Sequence, residues 1–294
     1  MIIDSHHHLW APETDPGDVG YVWLRDIGAP KPFGDPTPIQ RDYLIDEFLA
    51  EPAPGRLAGS VHLQCDPKIP DPVAETAFIQ KISDDSGFPI MIVAFADLGA
   101  ENFEQVIAGH KAFPNLRGIR QIISYLPDRP DISFAPRNLL DDPTWRANYA
   151  RLADHGLSFD LQLYPEQMRQ AAKLAADHPD IPVVIDHLGS PYDMSEAGMK
   201  TWTDGMAALA ALPHVHVKLG GYAMFFGGDL GDVPSLLTRA ALDMFGPDRT
   251  MFGSNFPVDK LHLKYPDLVA FVREIAGEDA AAVMGGTAAA FYQF

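Results

Sequence analysis

The sequence predicts an α/β fold: a (β/α)8 TIM barrel formed by a single domain over residues 1–294. Short apolar runs alternate with helical segments eight times, which is typical of a parallel sheet covered on both faces. Eight such units favour a closed barrel, and a chain of 294 residues suits one. A doubly wound open sheet is the structural alternative. No glycine fingerprint for a dinucleotide or a phosphate follows any predicted strand.

The predicted elements follow one another in a regular order. A strand opens the chain, and a loop rich in Pro, Gly and Asp over 11–40 leads to a short amphipathic helix over 42–51. The later strands are predicted at 58–64, 90–96, 116–123, 157–163, 182–188, 215–219 and 250–253. The helices are predicted at 72–83, 103–113, 144–155, 165–178, 196–211, 234–245, 266–275 and 279–292, with a Gly-rich loop at 220–231.

Charge and composition limit the partners. The net charge of −18 disfavours nucleic acids and anionic membranes, because no surface that neutralises phosphates is easily assembled. The apolar runs are shorter than a membrane span and no basic-then-apolar leader opens the chain, so we expect a cytoplasmic protein. The single cysteine, Cys65, excludes an internal disulfide. A homodimer would be ordinary for such a barrel.

Two histidines at the end of the opening strand are the first candidate site residues. Side chains alternate along a strand, so His6 and His8 point the same way and His7 points away from them. Paired imidazoles can serve as metal ligands or as acid–base groups. The alternative is an incidental cluster or a tag remnant, against which the apolar run leading into it argues.

Polar side chains also follow the other predicted strands. Chemistry in a TIM barrel lies at the C-terminal ends of its strands, so their convergence favours an active site. Each one alone has a structural explanation: His187 could cap a helix, Asp186 could brace a loop and Arg120 could pair with a carboxylate. The candidates are His62, Gln64, Asp97, Arg120, Asp160, Gln162, His187, Lys218, Asn255 and Asp259.

Three segments together resemble a known family across essentially the whole chain. They are IDSHHHLW at 3–10, VIDH at 184–187 and MFGSNFPV at 251–258. They resemble the amidohydrolase superfamily, and within it the branch of TIM-barrel lactone hydrolases. That branch includes sugar-acid lactonases of the fuconolactonase type and 2-pyrone-4,6-dicarboxylate lactonase.

The resemblance implies a set of metal ligands. His6, His8 and His187 match the histidines that hold divalent metals in the superfamily. The chain lacks a bridging lysine after the fourth strand and a histidine after the fifth, where Gln162 or Tyr164 stands instead. A binuclear site is therefore not expected. The expected cofactor is one weakly held divalent metal, zinc or manganese, or none.

Asn255 departs from the family pattern, which usually places an aspartate there as general base. An amide accepts no proton at neutral pH and ligates a metal more weakly than a carboxylate. Three explanations stay open. A histidine of the cluster, Asp259 or Asp160 is the base; or the reaction is a different one, such as lactone isomerisation; or the barrel binds without hydrolysing.

The function implied by the resemblance is hydrolysis of a sugar-acid or dicarboxylic-acid lactone, with His6, His8, His187, Asn255 and Asp259 as catalytic residues. Arg120 (or Arg117) and Lys218 would bind an anionic or polyhydroxylated lactone. The remaining candidates for substrate binding are His62, Gln64, Asp160, Gln162, Trp10 and Tyr222, and Trp23 is a further residue that could line the pocket. The alternatives are a metal-dependent decarboxylase of the same superfamily and a non-catalytic barrel that binds a sugar acid.

Overall fold

The barrel predicted from the sequence is confirmed by a computed structural model, which describes residues 1–29, 31–52, 57–65 and 68–294. Eight parallel strands lie side by side in chain order. They are β1 (Ile2–His7), β2 (Leu57–Leu63), β3 (Ile90–Phe95), β4 (Leu116–Arg120), β5 (Ser158–Leu161), β6 (Val183–Ile185), β7 (Val215–Leu219) and β8 (Thr250–Phe252).

The sheet closes between its last and first strands. The backbone N–H of Asn255 donates to the carbonyl of His6 at 2.7 Å, and that of His8 donates to the carbonyl of Phe256 at 2.7 Å. The buried carboxylate of Asp4 adds a side-chain link, because it accepts the Ser254 N–H at 2.8 Å. Closure places the ends of β1 and β8 beside each other at one rim of the barrel.

Helices surround the strands, as the alternation predicts. They are α1 (Val22–Arg25), α2 (Ile45–Ala50), α3 (Pro72–Ser86), α4 (Phe103–His110), α5 (Pro143–His155), α6 (Met168–Asp177), α7 (Glu196–Ala210), α8 (Tyr222–Phe226), α9 (Asp232–Phe245), α10 (Tyr265–Ala276) and α11 (Thr287–Tyr292). Strands β4, β5 and β6 end two or three residues earlier than predicted. Beyond such shifts of element ends, the structure differs from the sequence prediction in three places. The loop 11–40 contains α1, the Gly-rich segment 220–231 contains α8, and a wider helical turn over Ala282–Gly286 precedes α11.

Local sequence signals explain where the long helices begin and end. Asp142 precedes Pro143 and accepts the Thr144 N–H at 2.9 Å, which satisfies a donor that the first turn leaves free. The same helix, α5, ends at Gly156, whose φ of 66° lies in the left-handed region that glycine adopts without strain. Helix α3 uses the same pair of signals.

The core lies both inside the barrel and between strands and helices. Ile3, Val61, Val93 and Met251 are buried inside the barrel in one cluster with Tyr292 of α11. Helix α11 therefore covers the N-terminal end of the strands, and the opposite end carries the polar side chains. No helix among the described residues is long and apolar enough to cross a membrane.

Candidate active site

Three imidazoles meet at the C-terminal rim. The ring centroids of His6 and His8 lie 5.2 Å apart, and those of His6 and His187 lie 4.4 Å apart. His7 points the other way and stacks on Phe48, with ring centroids 4.1 Å apart. The alternation of side chains along β1 accounts for this division.

The loop after β6 brings His187 to the rim. Strand β6 ends at Ile185, and His187 takes a φ of 52° in the left-handed region. The ring packs on Gly221, where an added Cβ would lie 2.5 Å from His187 Nδ1. Any side chain at position 221 would therefore displace the imidazole.

The carboxylate of Asp186 is held by two buried cations. Its Oδ1 lies 3.1 Å from Lys218 Nζ, and its Oδ2 accepts from Arg120 Nη1 at 3.2 Å. His6 Nδ1 lies 3.3 Å from the same carboxylate. Burial favours the protonated form, but the charge of Lys218, the hydrogen bond with His6 and the charge of Arg120 outweigh it and hold the pKa of Asp186 well below its usual range.

Asp160 completes the charge balance. Lys218 donates a short hydrogen bond to Asp160 Oδ1, which also accepts from the Tyr292 hydroxyl at 2.8 Å. Burial raises the pKa of Asp160 to about 6, although the charge of Lys218 opposes that shift. At neutral pH two carboxylates, Asp160 and Asp186, thus face two cations, Lys218 and Arg120, in a buried group that we call the charge cluster.

The histidines are unprotonated at neutral pH. Burial lowers the pKa of His6 and of His8 well below the usual value. Burial likewise lowers the pKa of His187 to about 3, with Arg120 and Lys218 adding to the shift and Asp186 opposing it. Each imidazole therefore has a nitrogen lone pair available for a proton or another ligand.

Asn255 and Asp259 form a second polar pair at the rim. Asn255 has a φ of 56°, and its Nδ2 donates to Asp259 Oδ1 at 2.9 Å. The other oxygen of Asp259 accepts the Ala223 N–H at 3.3 Å. Burial raises the pKa of Asp259 to about 7, so this carboxyl titrates near neutrality. Because Nδ2 is engaged, Oδ1 is the remaining polar atom of the Asn255 amide.

Several buried polar atoms beside these groups have no hydrogen-bond partner among the described residues. They include both amide atoms of Gln64, Arg120 Nε and Ser124 Oγ. The amide oxygen of Gln162 is engaged, since it accepts from Arg120 Nη1 at 3.3 Å. Unsatisfied buried polar groups are costly, so their concentration at this rim indicates a binding site for a polar molecule.

A cavity of about 180 Å³ lies next to the charge cluster. Gln162 and Ser190, which follow β5 and β6, are part of its lining. Further lining residues come from the loops after β1, β4 and β7, so the cavity opens at the C-terminal rim. This is the position that substrates occupy in TIM barrels.

Of the residues that the sequence predicted to bind substrate, Gln162 lines this cavity and the other seven do not, and His6, His187 and Asn255 lie outside its lining as well. Three of those seven are held by other protein groups. The hydroxyl of Tyr222 pairs with Thr238 Oγ1 at 3.0 Å. The indole N–H of Trp10 donates to a backbone carbonyl at 3.2 Å. His62 is held between the Leu9 N–H, at 3.2 Å, and the carboxylate of Glu75, at 3.3 Å.

Arg117 points away from the rim as well. Its Nε donates to the carbonyl of Tyr292 at 2.7 Å, at the opposite end of the barrel. The two arginines of β4 therefore have different surroundings, and Arg120 alone of the two joins the charge cluster.

Sequence reasoning missed Asp186 and Tyr292 as site residues. Asp186 directly precedes His187, and on a strand neighbours point to opposite faces, so only one of them was expected at the site. Its place in the VIDH segment was the available signal. Tyr292 carries no local signal, because it reaches Asp160 from 132 positions along the chain.

A divalent metal fits this site poorly. Ligand atoms of His6, Asp186 and His187 lie within 4.8 Å of one another, so the donor types and spacing are suitable, with Asp186 rather than His8 as the third member. His8 Nδ1 instead lies 2.7 Å from the Leu63 carbonyl. The charge does not fit: two cations already compensate Asp186, and Arg120 Nη1 lies 3.3 Å from His6 Nε2, one of the two nitrogens with which His6 could ligate a metal.

Comparisons with known proteins agree with the fold. The family model described as Amidohydrolase matches residues 3–294, and the chain belongs to this family, which confirms the resemblance. An uncharacterized protein of Sinorhizobium fredii, y4mH, is 36% identical, covering 99% of this chain and 98% of that protein. The L-fucono-1,5-lactonase of Burkholderia multivorans is 29% identical over 99% of this chain and 95% of its own.

A solved structure is similar over the same extent. The crystal structure of an amidohydrolase from Burkholderia multivorans with bound zinc has a TM-score of 0.79 and 27% identity. It covers 100% of this chain, and this chain covers 99% of it.

Proposed function

We propose that this protein hydrolyses a small lactone to the open hydroxy acid. The observation that carries the proposal is the group of His6, His187 and Asn255 beside the charge cluster, which a rim cavity adjoins at Gln162. The relative from Burkholderia multivorans that is named L-fucono-1,5-lactonase supports the reaction class.

His187 is the best-placed general base. The other groups that the sequence left open are engaged: Asp160 is bound by Lys218, and Asp259 by the Asn255 amide. His6 Nε2 faces Arg120 Nη1 at 3.3 Å. The imidazole of His187 receives no hydrogen bond from the described side chains and is unprotonated at neutral pH, although its pKa of about 3 makes it a weak base.

The reaction then proceeds in two steps. A water oriented by Asn255 Oδ1 attacks the lactone carbonyl carbon, its proton passes to His187, and the carbonyl oxygen takes the negative charge. Arg120 Nε, which has no hydrogen-bond partner among the described residues, stabilises that oxyanion. The bond from the carbonyl carbon to the ring oxygen then breaks, and the ring oxygen takes the proton from His187 to become the hydroxyl of the product. No step uses a metal.

The test is acid release from a panel of sugar-acid, dicarboxylic-acid and simple alkyl lactones, followed with a pH indicator. We expect the wild type to open at least one of them and His187→Ala to lower kcat by about 100-fold or more. His262→Ala, which alters an exposed histidine, should match the wild type. Equal rates for His187→Ala and wild type would show that His187 is not the general base. If the wild type releases acid from none of the lactones, the proposal of lactone hydrolysis is wrong.

Binding without hydrolysis is the second candidate, because an amide stands where the family usually has a carboxylate. Calorimetry on the same panel separates the two. Heat of binding from a lactone that releases no acid would favour a binding protein.

A further inference from the structure

The rim cavity has a mixed lining with one group of apolar side chains. Gln162 lines the cavity and accepts a hydrogen bond from Arg120 of the charge cluster at 3.3 Å, so the cavity adjoins the cluster there. Ser190, Tyr164 and Tyr192 are further polar members of the lining. The apolar part comes from the segments that follow three different strands and includes Phe33, Ile132, Phe134, Met224 and Phe225.

Among the described residues, the cation that lines this cavity is already paired with a carboxylate. Arg129 lines the cavity, but its guanidinium is bound to Asp131, with Nη2 2.8 Å from Oδ2 and Nε 2.9 Å from Oδ1. The neighbouring cations of the charge cluster are balanced by Asp160 and Asp186. A carboxylate on the substrate would therefore lie near Asp160 and Asp186. It would have no free positive partner among the described residues, and the net charge of the protein is −18.

A polar group in the same cavity points to a neutral ligand. Ser124 Oγ is buried, with its side chain in the cavity lining and without a hydrogen-bond partner among the described residues. A hydroxyl can donate to or accept from an uncharged oxygen, such as that of an ester or an alcohol. One such contact orients a molecule whose remaining surface meets the apolar wall.

We infer that the substrate is an uncharged lactone that carries an alkyl or aryl substituent, with the ring over the charge cluster and the substituent against Phe33, Ile132, Met224 and Phe225. This inference rests on the proposed lactone hydrolysis and narrows it: of the classes the sequence suggested, dicarboxylic lactones are disfavoured. The cavity of about 180 Å³ has the necessary room, because about 150 Å³ accommodates a benzene-sized ring in other proteins.

The test compares δ-decalactone with unsubstituted δ-valerolactone, which differ by one pentyl chain, and adds 2-pyrone-4,6-dicarboxylate as a charged lactone. We expect kcat/KM for δ-decalactone to exceed that for δ-valerolactone by roughly tenfold or more, since each buried methylene favours binding. The dicarboxylate should be the poorest substrate. Phe225→Ala should remove most of the preference, whereas Phe226→Ala, next in the chain and outside the cavity lining, should keep it.

Failure of this inference is distinguishable from failure of the proposed function. Faster hydrolysis of the dicarboxylate, or of δ-valerolactone, would overturn the neutral apolar substrate and leave lactone hydrolysis standing. If no lactone is opened, binding of the matching δ-lactams by calorimetry decides. If the pentyl-substituted lactam binds more tightly and Phe225→Ala abolishes that difference, the apolar subsite is supported although hydrolysis has failed. Equal binding of both lactams would overturn the apolar subsite.

Discussion

Arg120 and Asp186 join the ends of two strands across the barrel, with Nη1 3.2 Å from Oδ2. Both side chains are buried, and Lys218 contacts the other oxygen of the same carboxylate at 3.1 Å. One anion thus holds two cations that come from β4 and β7. Arg120 would stabilise the oxyanion in the proposed reaction. Its position therefore depends on Asp186, which need not touch the substrate.

We predict that Asp186→Asn lowers both stability and activity. The amide leaves Arg120 and Lys218 with one compensating carboxylate, and breaking a buried ion pair costs about 3–5 kcal/mol of unfolding free energy. Loss of the aligned guanidinium should lower kcat by about 100-fold or more. Urea denaturation and the acid-release assay measure the two effects.

The matched control is Asp131→Asn, which breaks an exposed arginine–aspartate pair. Solvent screens such pairs, so no change in unfolding free energy is expected. Equal effects of the two substitutions would contradict the role of the charge cluster.

The fold was predictable from the sequence because its signals are local. Apolar runs of strand length alternate with capped helices, and Asp142 with Gly156 marks the limits of one of them. The single-domain barrel and the order of its strands follow from that repetition. The short helices α1 and α8 were missed because four or five residues carry too little periodicity to be recognised.

The site was predictable in its residue types and only partly in its geometry. Strand-end polar residues mark the rim, but alternation holds only while the chain is a strand. Beyond Ile185 it turns into left-handed conformations at His187 and Leu188, so adjacent residues both reach the site. Contacts such as that of Tyr292 with Asp160 depend on the closed barrel and leave no pattern in the sequence.

We predict that Asp259 makes stability fall as pH rises. Its pKa is about 7 in the fold against an ordinary value of 3.8, so between these values the native state holds a proton that the unfolded chain has lost. A shift of this size corresponds to a loss of at most about 4 kcal/mol between pH 4 and pH 7, with no further loss above it. Unfolding free energies from urea titrations across that range provide the measurement.

Asp259→Asn should remove this contribution, so its advantage over the wild type should grow as pH rises from 4 to 7. Burial also raises the pKa of Asp4, to about 6, so Asp4 too makes the unfolding free energy fall as pH rises. This contribution is present in both proteins and cancels when their unfolding free energies are subtracted. Asp243→Asn, at an exposed position, serves as control. Its unfolding free energy should differ from that of the wild type by the same amount at every pH. A difference that does not change with pH would mean that Asp259 is ionised throughout.

We predict that Asn255→Asp impairs the protein, although it restores the residue usual in the family. The new carboxyl would lie against Asp259, since the amide nitrogen it replaces is 2.9 Å from Asp259 Oδ1. Two carboxyls at that distance cannot both ionise without repulsion, so stability should fall and the loss should grow above pH 7. The exchange variant Asn255→Asp with Asp259→Asn restores one amide and one carboxyl and should recover most of the stability. Higher hydrolysis in Asn255→Asp alone would instead indicate that the wild type has lost its general base.

We predict that the activity of the wild type does not depend on a bound metal. Because Lys218 and Arg120 compensate Asp186, dialysis against a chelator should change kcat/KM of the wild type by less than about twofold, a free-energy change well below 1 kcal/mol. Lys218→Met removes one competing cation from Asp186, so zinc affinity measured by calorimetry should rise by roughly tenfold or more, and Arg120→Leu should act in the same direction. Lys200→Met, which alters an exposed lysine paired with Asp204, should bind zinc as the wild type does. A wild type that retains one zinc per chain through dialysis and loses activity when the zinc is stripped would contradict the charge argument, because the cations would then have failed to exclude the metal.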